Sequence, residues 1–319
     1  MKIISIGTSP LMSKGILSGF ESNGFEVGTF PFKPWYTFSF DEGVHELTSC
    51  FNNISFDILL FGGYAPSYFI VLKDLLKKYN KKFIYWAIED PVGFDNTLEI
   101  AKLADYVFTT SIECIPKYKK YNIDAHLLTF ACNPNYHKSG FYKKEYDIDI
   151  TMAASYYSWK TRLKGYDIIL DAAKDSNYNL KVWGSGWNSK SGMDRLGDTS
   201  LYGGYFPNDE LPNLCASSKI ILGIQCDDSS ITQTSMRPYE VLGCCGFHLT
   251  QWTKATDSIF KDGIHLVTAK TKEDALDKIN YYINHDKERL KIALAGQDFV
   301  YKYHTYEIRV KDNILPFLI

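Results

Sequence analysis

The sequence predicts an α/β protein that contains two Rossmann-like domains. Its 319 residues exceed what a single hydrophobic core usually spans. Short apolar runs alternate with amphipathic helical patterns in both halves of the chain, which is typical of a parallel sheet covered by helices on both faces. The alternation stops over residues 130–145, where Asn133-Pro134, Gly140 and several charges stand. We therefore expect an interdomain linker there.

The N-terminal half carries the first array of elements. Apolar runs predict strands, and apolar residues spaced three and four apart predict helices. The predicted strands span residues 3–6, 25–30, 57–61, 82–88 and 105–109, and the predicted helices span 11–20, 68–79 and 96–104.

The C-terminal half repeats the alternation. The predicted strands span 147–153, 179–183, 219–224 and 246–250, and the predicted helices span 160–173, 235–242, 272–284 and the tail from 287 onward. We expect an N-terminal domain at 1–135, a C-terminal domain at 136–302, and a final helix at 303–319 that returns to the N-terminal domain. Open parallel sheets bind ligands at the carboxyl ends of their strands, so the cleft between the domains is the expected site.

The composition excludes several classes of protein. The net charge is −2 and the Lys residues are dispersed, whereas a nucleic-acid partner requires concentrated positive charge. Seven Cys lack a disulfide or zinc spacing, which indicates reduced thiols in a cytoplasmic protein. No stretch is long and apolar enough to cross a membrane, and the N-terminus lacks the pattern of a signal peptide. We expect neither a metal nor a cofactor.

The segment 235–246 contains the most informative group of residues. It follows an apolar strand and a polar loop, and its helix is predicted to start near Ser235. A helix start offers unpaired N–H groups and a positive dipole end, which suit a diphosphate. Arg237 adds a planar cation for phosphate oxygens, and the Glu240 carboxylate can accept hydrogen bonds from ribose hydroxyls. Alternatively, Ser235 caps the helix, and Arg237 and Glu240 form a surface pair.

The same segment resembles a motif of the CgeB-like glycosyltransferases, relatives of the spore maturation protein CgeB and of the retaining family 4 glycosyltransferases. Residues 237–243, continued by residues 246–250, resemble the pattern R-x-[FY]-E-x-[LM]-G-x-G-x-[FL]-L-[LT]. Further matches in the order expected for the family lie at residues 85–91, 127–137, 260–263, 278–293 and 304–309.

The resemblance implies a GT-B fold, in which two Rossmann-like domains face each other across a cleft, and metal-independent transfer with retention of anomeric configuration. It implies that Glu240 binds the ribose of a nucleotide-sugar and that Arg237 binds its phosphates or sugar. Family 4 enzymes usually carry a second Glu at the place that Thr232 occupies here. A hydroxyl there can still bind the donor sugar.

A second donor-side element follows the first strand of the C-terminal domain. Relatives bring an Arg and a Lys-Gly pair to the pyrophosphate in this region, and Arg162 and Lys164 match them. The alternative is that both are solvated charges at a helix start. Relatives hold the base with backbone groups in the regions of Gly184, Gly186 and Tyr205, where glycine permits close approach and an aromatic ring can stack. The alternative for the two glycines is a plain turn.

The acceptor side is predicted to lie in the N-terminal domain. A carboxylate at the end of a strand there can act as a base or hold an acceptor hydroxyl. We assign Asp90 to catalysis together with Arg237 and Glu240; the alternative is a helix cap or an ion pair. The predicted acceptor-side residues are Gly7, Thr8, Gly63, Glu89 and Asp90.

Together, the residues and the resemblance predict a hexosyltransferase-type glycosyltransferase. It would move a sugar from a nucleotide-diphosphate sugar, expected to be a UDP-sugar, to a polysaccharide, a protein or a small molecule. Preplaced cations and N–H groups would stabilise the leaving diphosphate without a metal. An Asp-x-Asp metal signature is expected at the end of a strand, and Asp147-Ile148-Asp149 starts a strand instead. Two alternatives remain: a nucleotide-sugar epimerase, and a non-catalytic nucleotide-sugar-binding or structural protein. The second remains because Thr232 stands where family 4 enzymes usually carry an acid.

Overall fold

A computed structural model of the protein describes residues 1–7, 9–30 and 38–318. The chain divides into two compact units. Unit 1 comprises Met1–Thr129 and Thr305–Ile319, and unit 2 comprises Phe130–His304. Residues 130–135, which the sequence analysis placed in the N-terminal domain, therefore lie in unit 2.

Unit 1 contains a parallel sheet whose central strands are apolar on both faces, as expected for a sheet covered by helices on each side. The described strands are β1 (Lys2–Ser5), β2 (Glu26–Thr29), β3 (Ile58–Gly62), β4 (Lys82–Ala87), β5 (Tyr106–Thr109) and β6 (Ala125–Leu127). They lie in the order β2-β1-β3-β4-β5-β6. The first helices are α1 (Leu17–Ser22), α2 (Phe40–Asn53), α3 (Leu72–Lys78), α4 (Phe94–Ala101) and α5 (Ile115–Lys119).

Unit 2 contains a second parallel sheet. Its described strands are β7 (Ile150–Ala153), β8 (Leu180–Trp183), β9 (Tyr202–Gly204), β10 (Ile220–Gly223), β11 (His248–Gln251) and β12 (Val267–Ala269), in the order β12-β11-β10-β7-β8-β9. Its helices are α6 (Lys160–Gly165), α7 (Asp171–Asp175), α8 (Lys190–Leu196), α9 (Leu211–Ser217), α10 (Arg237–Gly243), α11 (Lys254–Ile259), α12 (Lys272–Tyr282) and α13 (Asp286–Tyr303). The predicted α/β fold class with two Rossmann-like sheets is confirmed.

The last segment of the chain, with α14 (Tyr306–Arg309) and α15 (Leu315–Leu318), packs within unit 1. The side-chain amide of Asn23 donates to the carbonyl of Glu307 at 3.1 Å, and Nε of Arg309 donates to the carbonyl of Thr129 at 3.3 Å. Gly19 lies so close to α14 that a Cβ at this position would overlap the carbonyl oxygen of Tyr306. The last segment of the chain thus belongs to the same compact unit as the N-terminal sheet.

The strands that the sequence analysis missed share one property. β6, β9 and β12 each have three residues and lie at an edge of their sheet. Three residues are too few to display an alternating pattern, so neighbouring strands define them instead. Helix α2 was also missed, although Ser39 and Glu42 form the capping box that marks its start: N–H of Glu42 donates to Oγ of Ser39, and N–H of Ser39 donates to the Glu42 carboxylate.

Two kinds of feature are absent from the described part of the chain. Its helices include none with the length and apolar character needed to cross a membrane. Its His, Cys, Asp and Glu side chains form no group of three or more that could hold a metal ion.

Candidate active site

The carboxyl ends of β7 and β10 mark the point in unit 2 where the strand order reverses. These strands are hydrogen-bonded neighbours, but the chain continues from β7 toward β8 on one side and from β10 toward β11 on the other. The loops after the two strands diverge, and open α/β sheets bind ligands in the crevice formed at such a point. The predicted donor-binding residues lie on the segments that follow β7, β8, β9 and β10.

Arg162 connects the loops on either side of this point. Its Nη1 donates to the carbonyl oxygen of Ser155 at 3.2 Å, and its Nη2 donates to Sγ of Cys226 at 3.3 Å. Burial acts to lower the pKa of Arg162, but Cys226 and Tyr166 outweigh burial and raise it, so the cation is retained. Its Nε is buried without a hydrogen-bond partner among the described residues. A half-buried positive charge is therefore held at the crevice.

Lys164 lies on the same helix but has a different environment. Its Nζ is 2.9 Å from a carboxylate oxygen of Asp228, and its side chain is 61% exposed. This is a solvated surface ion pair, the alternative that the sequence analysis left open. Donor binding by Lys164 stays a prediction.

The two glycines after β8 hold the loop that follows it against the loop that follows β7. Gly184 and Gly186 have φ values of +129° and +82°, which L side chains rarely adopt. A Cβ on Gly184 would overlap the carbonyl oxygen of Ala154. The Oγ atoms of Ser155 and Ser185 are 2.8 Å apart, so hydroxyls from both loops meet here. Both glycines therefore have a structural reason to be present, and their contact with a base stays a prediction.

Tyr205 directly follows β9 and is 75% exposed, whereas the next residue, Phe206, is buried. An exposed ring at the carboxyl edge of a sheet has a free face for a planar ligand. Its predicted role in stacking on a base remains to be tested.

Helix α10 begins at Arg237, two residues later than predicted, and Met236 occupies the N-cap position without a side-chain cap. Ser235 is therefore not the cap. Its N–H donates to Oε1 of Gln225 at 2.8 Å, so this amide is already engaged. Pro238 has no N–H to offer. The expected cradle of backbone amides is thus smaller than predicted, and side chains must provide most of the donors.

Side-chain polar atoms without partners are concentrated in this segment. Buried atoms with no hydrogen-bond partner among the described residues include Oε1 of Gln233, Oγ1 of Thr234, Oγ of Ser235, Nη1 of Arg237 and Oε2 of Glu240. Leaving such groups unsatisfied costs about 1–3 kcal/mol each. Nη1 of Arg237 and Oε2 of Glu240 face each other as an ion pair, whereas the three uncharged groups at residues 233–235 lack such a neighbour among the described residues and indicate a segment suited to a polar ligand.

Glu240 lies between two nitrogen-bearing side chains. Its Oε2 is 3.0 Å from Nη1 of Arg237, although the angles are not those of a hydrogen bond. Its Oε1 is 3.8 Å from Nε2 of His137. Glu240 and His137 are both buried. The predicted Arg237–Glu240 pair exists, but the carboxylate is not on the surface as the alternative interpretation assumed.

Thr232 lies in the loop before α10 and is half-buried. Its N–H donates to Oγ of Ser230 at 3.2 Å, which is part of a turn organised by the buried carboxylate of Asp227. The hydroxyl of Thr232 cannot carry the charge of the Glu that family 4 enzymes place there. Sugar binding by Thr232 stays a prediction.

Asp90 is fully buried in unit 1, in the turn that follows β4. Its Oδ1 accepts from the hydroxyl of Thr97 at 2.6 Å, and its Oδ2 accepts from Thr109 at 2.6 Å and Tyr118 at 3.0 Å. Burial raises the pKa of Asp90, and these hydrogen bonds act in the opposite direction. Because both oxygens are engaged and neither is accessible, this geometry argues against the catalytic and acceptor-binding roles predicted for Asp90. It is a structural carboxylate that joins β4, α4, β5 and α5.

The other predicted acceptor-side residues follow the carboxyl ends of β1, β3 and β4. Gly7 and Gly63 have φ values of +93° and +109°. The carbonyl of Gly63 accepts a 2.9 Å hydrogen bond from the buried hydroxyl of Tyr85. Glu89 is half-buried beside Asp90, and Thr8 lies outside the described residues. Acceptor binding by these four residues stays a prediction.

Sequence reasoning missed two buried residues that organise the donor-side segments. Gln225 follows β10; its Nε2 donates to Oγ1 of Thr250 at 2.9 Å, so its side chain ties the N–H of Ser235 to β11. The position of Gln225 at the end of a strand was the available signal. His137, treated as an isolated structural His, approaches Glu240 only through tertiary folding.

A family model described as "Glycosyl transferase-like" matches residues 164–314, a range that contains α10 with Arg237 and Glu240. The chain carries a glycosyltransferase domain. The match covers most of unit 2 and continues into the last segment of unit 1. No curated protein is similar enough in sequence to match the chain.

Solved structures of other proteins are similar to nearly the whole chain. Anabaena HepE, in complex with UDP and glucose, has 11% identity and a TM-score of 0.67, covering 98% of this chain and 97% of its own. Sucrose-phosphate synthase from Thermosynechococcus elongatus has 12% identity and a TM-score of 0.67 with the same coverage. T4 phage BGT, in complex with UDP-glucose, has 14% identity and a TM-score of 0.60, also covering 98% and 97%. At these identities the similarity shows the fold alone, and that fold is GT-B.

Proposed function

We propose that this glycosyltransferase moves a sugar from a UDP-sugar to an acceptor without a metal and with retention of anomeric configuration. The observation that carries the proposal is the run of buried polar atoms at residues 233–240 that have no hydrogen-bond partner among the described residues. Two of the similar structures were solved with UDP or UDP-glucose, which supports a uridine diphosphate sugar as donor. The resemblance to CgeB-like and family 4 enzymes supports retention.

The leaving diphosphate would be stabilised by two guanidinium groups and by hydroxyls. Breaking the bond between the sugar and the diphosphate builds negative charge on the leaving oxygen. Arg162 and Arg237 supply fixed positive charge, and the hydroxyls of Thr234 and Ser235 supply donors that need partners. Charged donors placed in a partly dry site stabilise such charge without reorganisation, which is why we propose that no metal is needed.

The ribose would bind to Glu240. Each oxygen of a carboxylate can accept more than one hydrogen bond, so Oε2 can accept from the ribose hydroxyls. Oε2 of Glu240 has no hydrogen-bond partner among the described residues and is buried beside Arg237. A nucleotide whose ribose reaches Glu240 would place its phosphates near Arg237.

Thr232 favours one alternative, a protein that binds the nucleotide-sugar but does not turn it over. The loop places a half-buried hydroxyl where relatives carry an acid. The donor site proposed above does not depend on Thr232, so binding and turnover are separate outcomes.

Nucleotide binding and turnover test the proposal. Wild type is expected to bind UDP in calorimetry and to hydrolyse a UDP-sugar slowly without acceptor. Arg237→Ala and Glu240→Ala each remove a charge-assisted hydrogen bond of about 1.5–3 kcal/mol, so UDP binding is expected to weaken about 10- to 100-fold. Lys219→Ala is the matched control, because Lys219 pairs with Asp149 at 2.7 Å at the amino ends of β10 and β7, whereas the proposed site lies at the carboxyl ends.

The outcomes separate the candidate functions. Binding of UDP-sugars with no turnover under any acceptor condition indicates the non-catalytic alternative. Conversion of the sugar without an acceptor indicates an epimerase. Unchanged UDP affinity in both Arg237→Ala and Glu240→Ala refutes the proposed donor site.

A further inference from the structure

We propose that His137 is a positioning residue for Glu240: its Nε2–H faces Oε1 of the carboxylate and keeps the Oε2 side turned toward Arg237 and the ribose of the bound nucleotide. The inference rests on the donor site proposed above. His137 is 103 positions before Glu240 in the chain, and no motif joins the two.

The hydrogen bonds of His137 fix which ring nitrogen carries the proton. The N–H of Asn133 donates to Nδ1 of His137 at 3.0 Å, so Nδ1 must be the acceptor. Burial lowers the pKa of His137; Glu240 raises it and Arg237 lowers it, and the net shift is downward. The imidazole is therefore neutral near pH 7, and its single N–H is on Nε2. Nε2 is 3.8 Å from Oε1 of Glu240, whereas Nη1 of Arg237 is 3.0 Å from the other oxygen, Oε2.

The backbone of His137 is fixed as firmly as its ring. Its N–H donates to the carbonyl of Asn133 at 2.6 Å, and its carbonyl accepts from the hydroxyl of Tyr301 at 2.7 Å. The Tyr301 hydroxyl is also 3.0 Å from the carbonyl of Gly243 at the end of α10. Helix α13 thus clamps the turn containing His137 to the helix containing Glu240.

Gly243 makes this approach possible. A Cβ at Gly243 would lie 2.9 Å from Cβ of His137 and 3.2 Å from Cβ of Cys132. Any larger residue would push the linker turn away from α10 and take Nε2 away from Glu240. The close approach of His137 therefore explains why the motif has a glycine at position 243.

The distance of 3.8 Å between Nε2 and Oε1 is longer than a hydrogen bond. Contacts in ligand-free sites are often long and shorten in the complex. A ribose that donates to Oε2 of Glu240 rotates the carboxylate, and Nε2–H of His137 can then donate to Oε1. The contribution of His137 is therefore expected to appear in nucleotide affinity and only when ribose hydroxyls are present.

Two substitutions separate the two nitrogens of His137. His137→Asn retains an acceptor near the position of Nδ1 for the N–H of Asn133 but loses the donor that faces Glu240. His137→Gln places an amide donor near the position of Nε2 and loses the Nδ1 acceptor. His45→Gln is the matched control, since His45 is exposed on α2 in unit 1.

The experiment measures the dissociation constants of UDP and of 2′,3′-dideoxy-UDP by calorimetry, with thermal unfolding as a check of folding. For His137→Asn we expect UDP binding to weaken about tenfold, as for loss of one hydrogen bond to a charged group, with dideoxy-UDP affinity within about twofold of wild type. His137→Gln is expected to keep UDP affinity within about threefold. In a Glu240→Ala background, His137→Asn should have no further effect.

Equal weakening of both nucleotides in His137→Asn overturns the inference, because a merely structural residue affects both alike. Unchanged UDP affinity in that variant also overturns it. If wild type binds neither nucleotide, the proposed donor site itself fails and the inference falls with it. The wild-type measurement thus distinguishes the two failures.

Discussion

Replacing Asp90 with Ala separates a structural from a catalytic role for this carboxylate. The change leaves the hydroxyls of Thr97, Thr109 and Tyr118 without their common acceptor in a fully buried place. Hydrogen bonds to a charged group contribute about 1.5–3 kcal/mol each, and the energetic cost of burying Asp90 itself offsets part of their sum. We expect the free energy of unfolding to fall by about 3–5 kcal/mol.

Asp90→Asn is the matched variant for this experiment. It retains the shape and one acceptor, and the hydroxyls that faced Oδ2 can rotate to accept from the new amide. A loss of about 1–2 kcal/mol is expected. Both variants are measured by urea unfolding, with UDP affinity as a second readout that depends on unit 2.

The pH dependence of the Asn variant gives an independent check. Burial raises the pKa of Asp90 in the folded protein above its usual value of 3.8, so the folded state holds this proton more tightly than the unfolded state. Ionisation of Asp90 therefore lowers stability as pH rises from about 3.8 through the raised pKa. The stability of wild type relative to Asp90→Asn should decline across this window. A stable Asp90→Ala protein that binds UDP but has lost all turnover would refute the structural role.

The remaining predictions concern the donor-side cations and the last segment. Arg162→Ala should weaken UDP binding about tenfold or more. Lys164→Ala removes only a surface ion pair and should change UDP affinity less than about twofold. Equal losses of UDP affinity in the two variants, measured by calorimetry, would contradict this assignment. Gly19→Ala should reduce the free energy of unfolding by about 2 kcal/mol or more, because its Cβ overlaps the carbonyl of Tyr306. Urea unfolding checks this, with Gly24→Ala, where a Cβ meets no atom within 4 Å but φ is +85°, as the control for backbone strain alone.

The sequence predicted those features of the fold that depend on local pattern. Each predicted strand is present, and the central strands were predictable because a buried parallel strand is a continuous apolar run. β2 differs, since it lies at an edge of its sheet and has no buried residue. The pairing of Arg237 with Glu240 was also predictable from local pattern, because residues three apart on a helix are neighbours. The edge strand β9 was not predictable, because its three residues include two glycines and its register comes from β8.

The environment of each site residue depended on parts of the chain far apart in sequence. Asp90 and Glu240 are both carboxylates near helix starts, and nothing local distinguishes their roles. The acceptor sites of Asp90 are filled by three hydroxyls from other elements, whereas Oε2 of Glu240 lies beside the Arg237 cation and accepts no hydrogen bond from the described residues. The engagement of the Ser235 amide by Gln225 likewise joins the end of β10 to the start of α10, which no sequence spacing reveals.

The return of the last segment to unit 1 determines the order in which the protein can mature on the ribosome. Unit 2 is one uninterrupted stretch, Phe130–His304, and all of it leaves the ribosome before the segment that completes unit 1. The surface of α1 at Gly19 therefore stays uncovered until α14 has left the ribosome. A truncation before Thr305 therefore damages the half of the molecule that is translated first, while the stretch that carries the donor residues retains its own complete sheet.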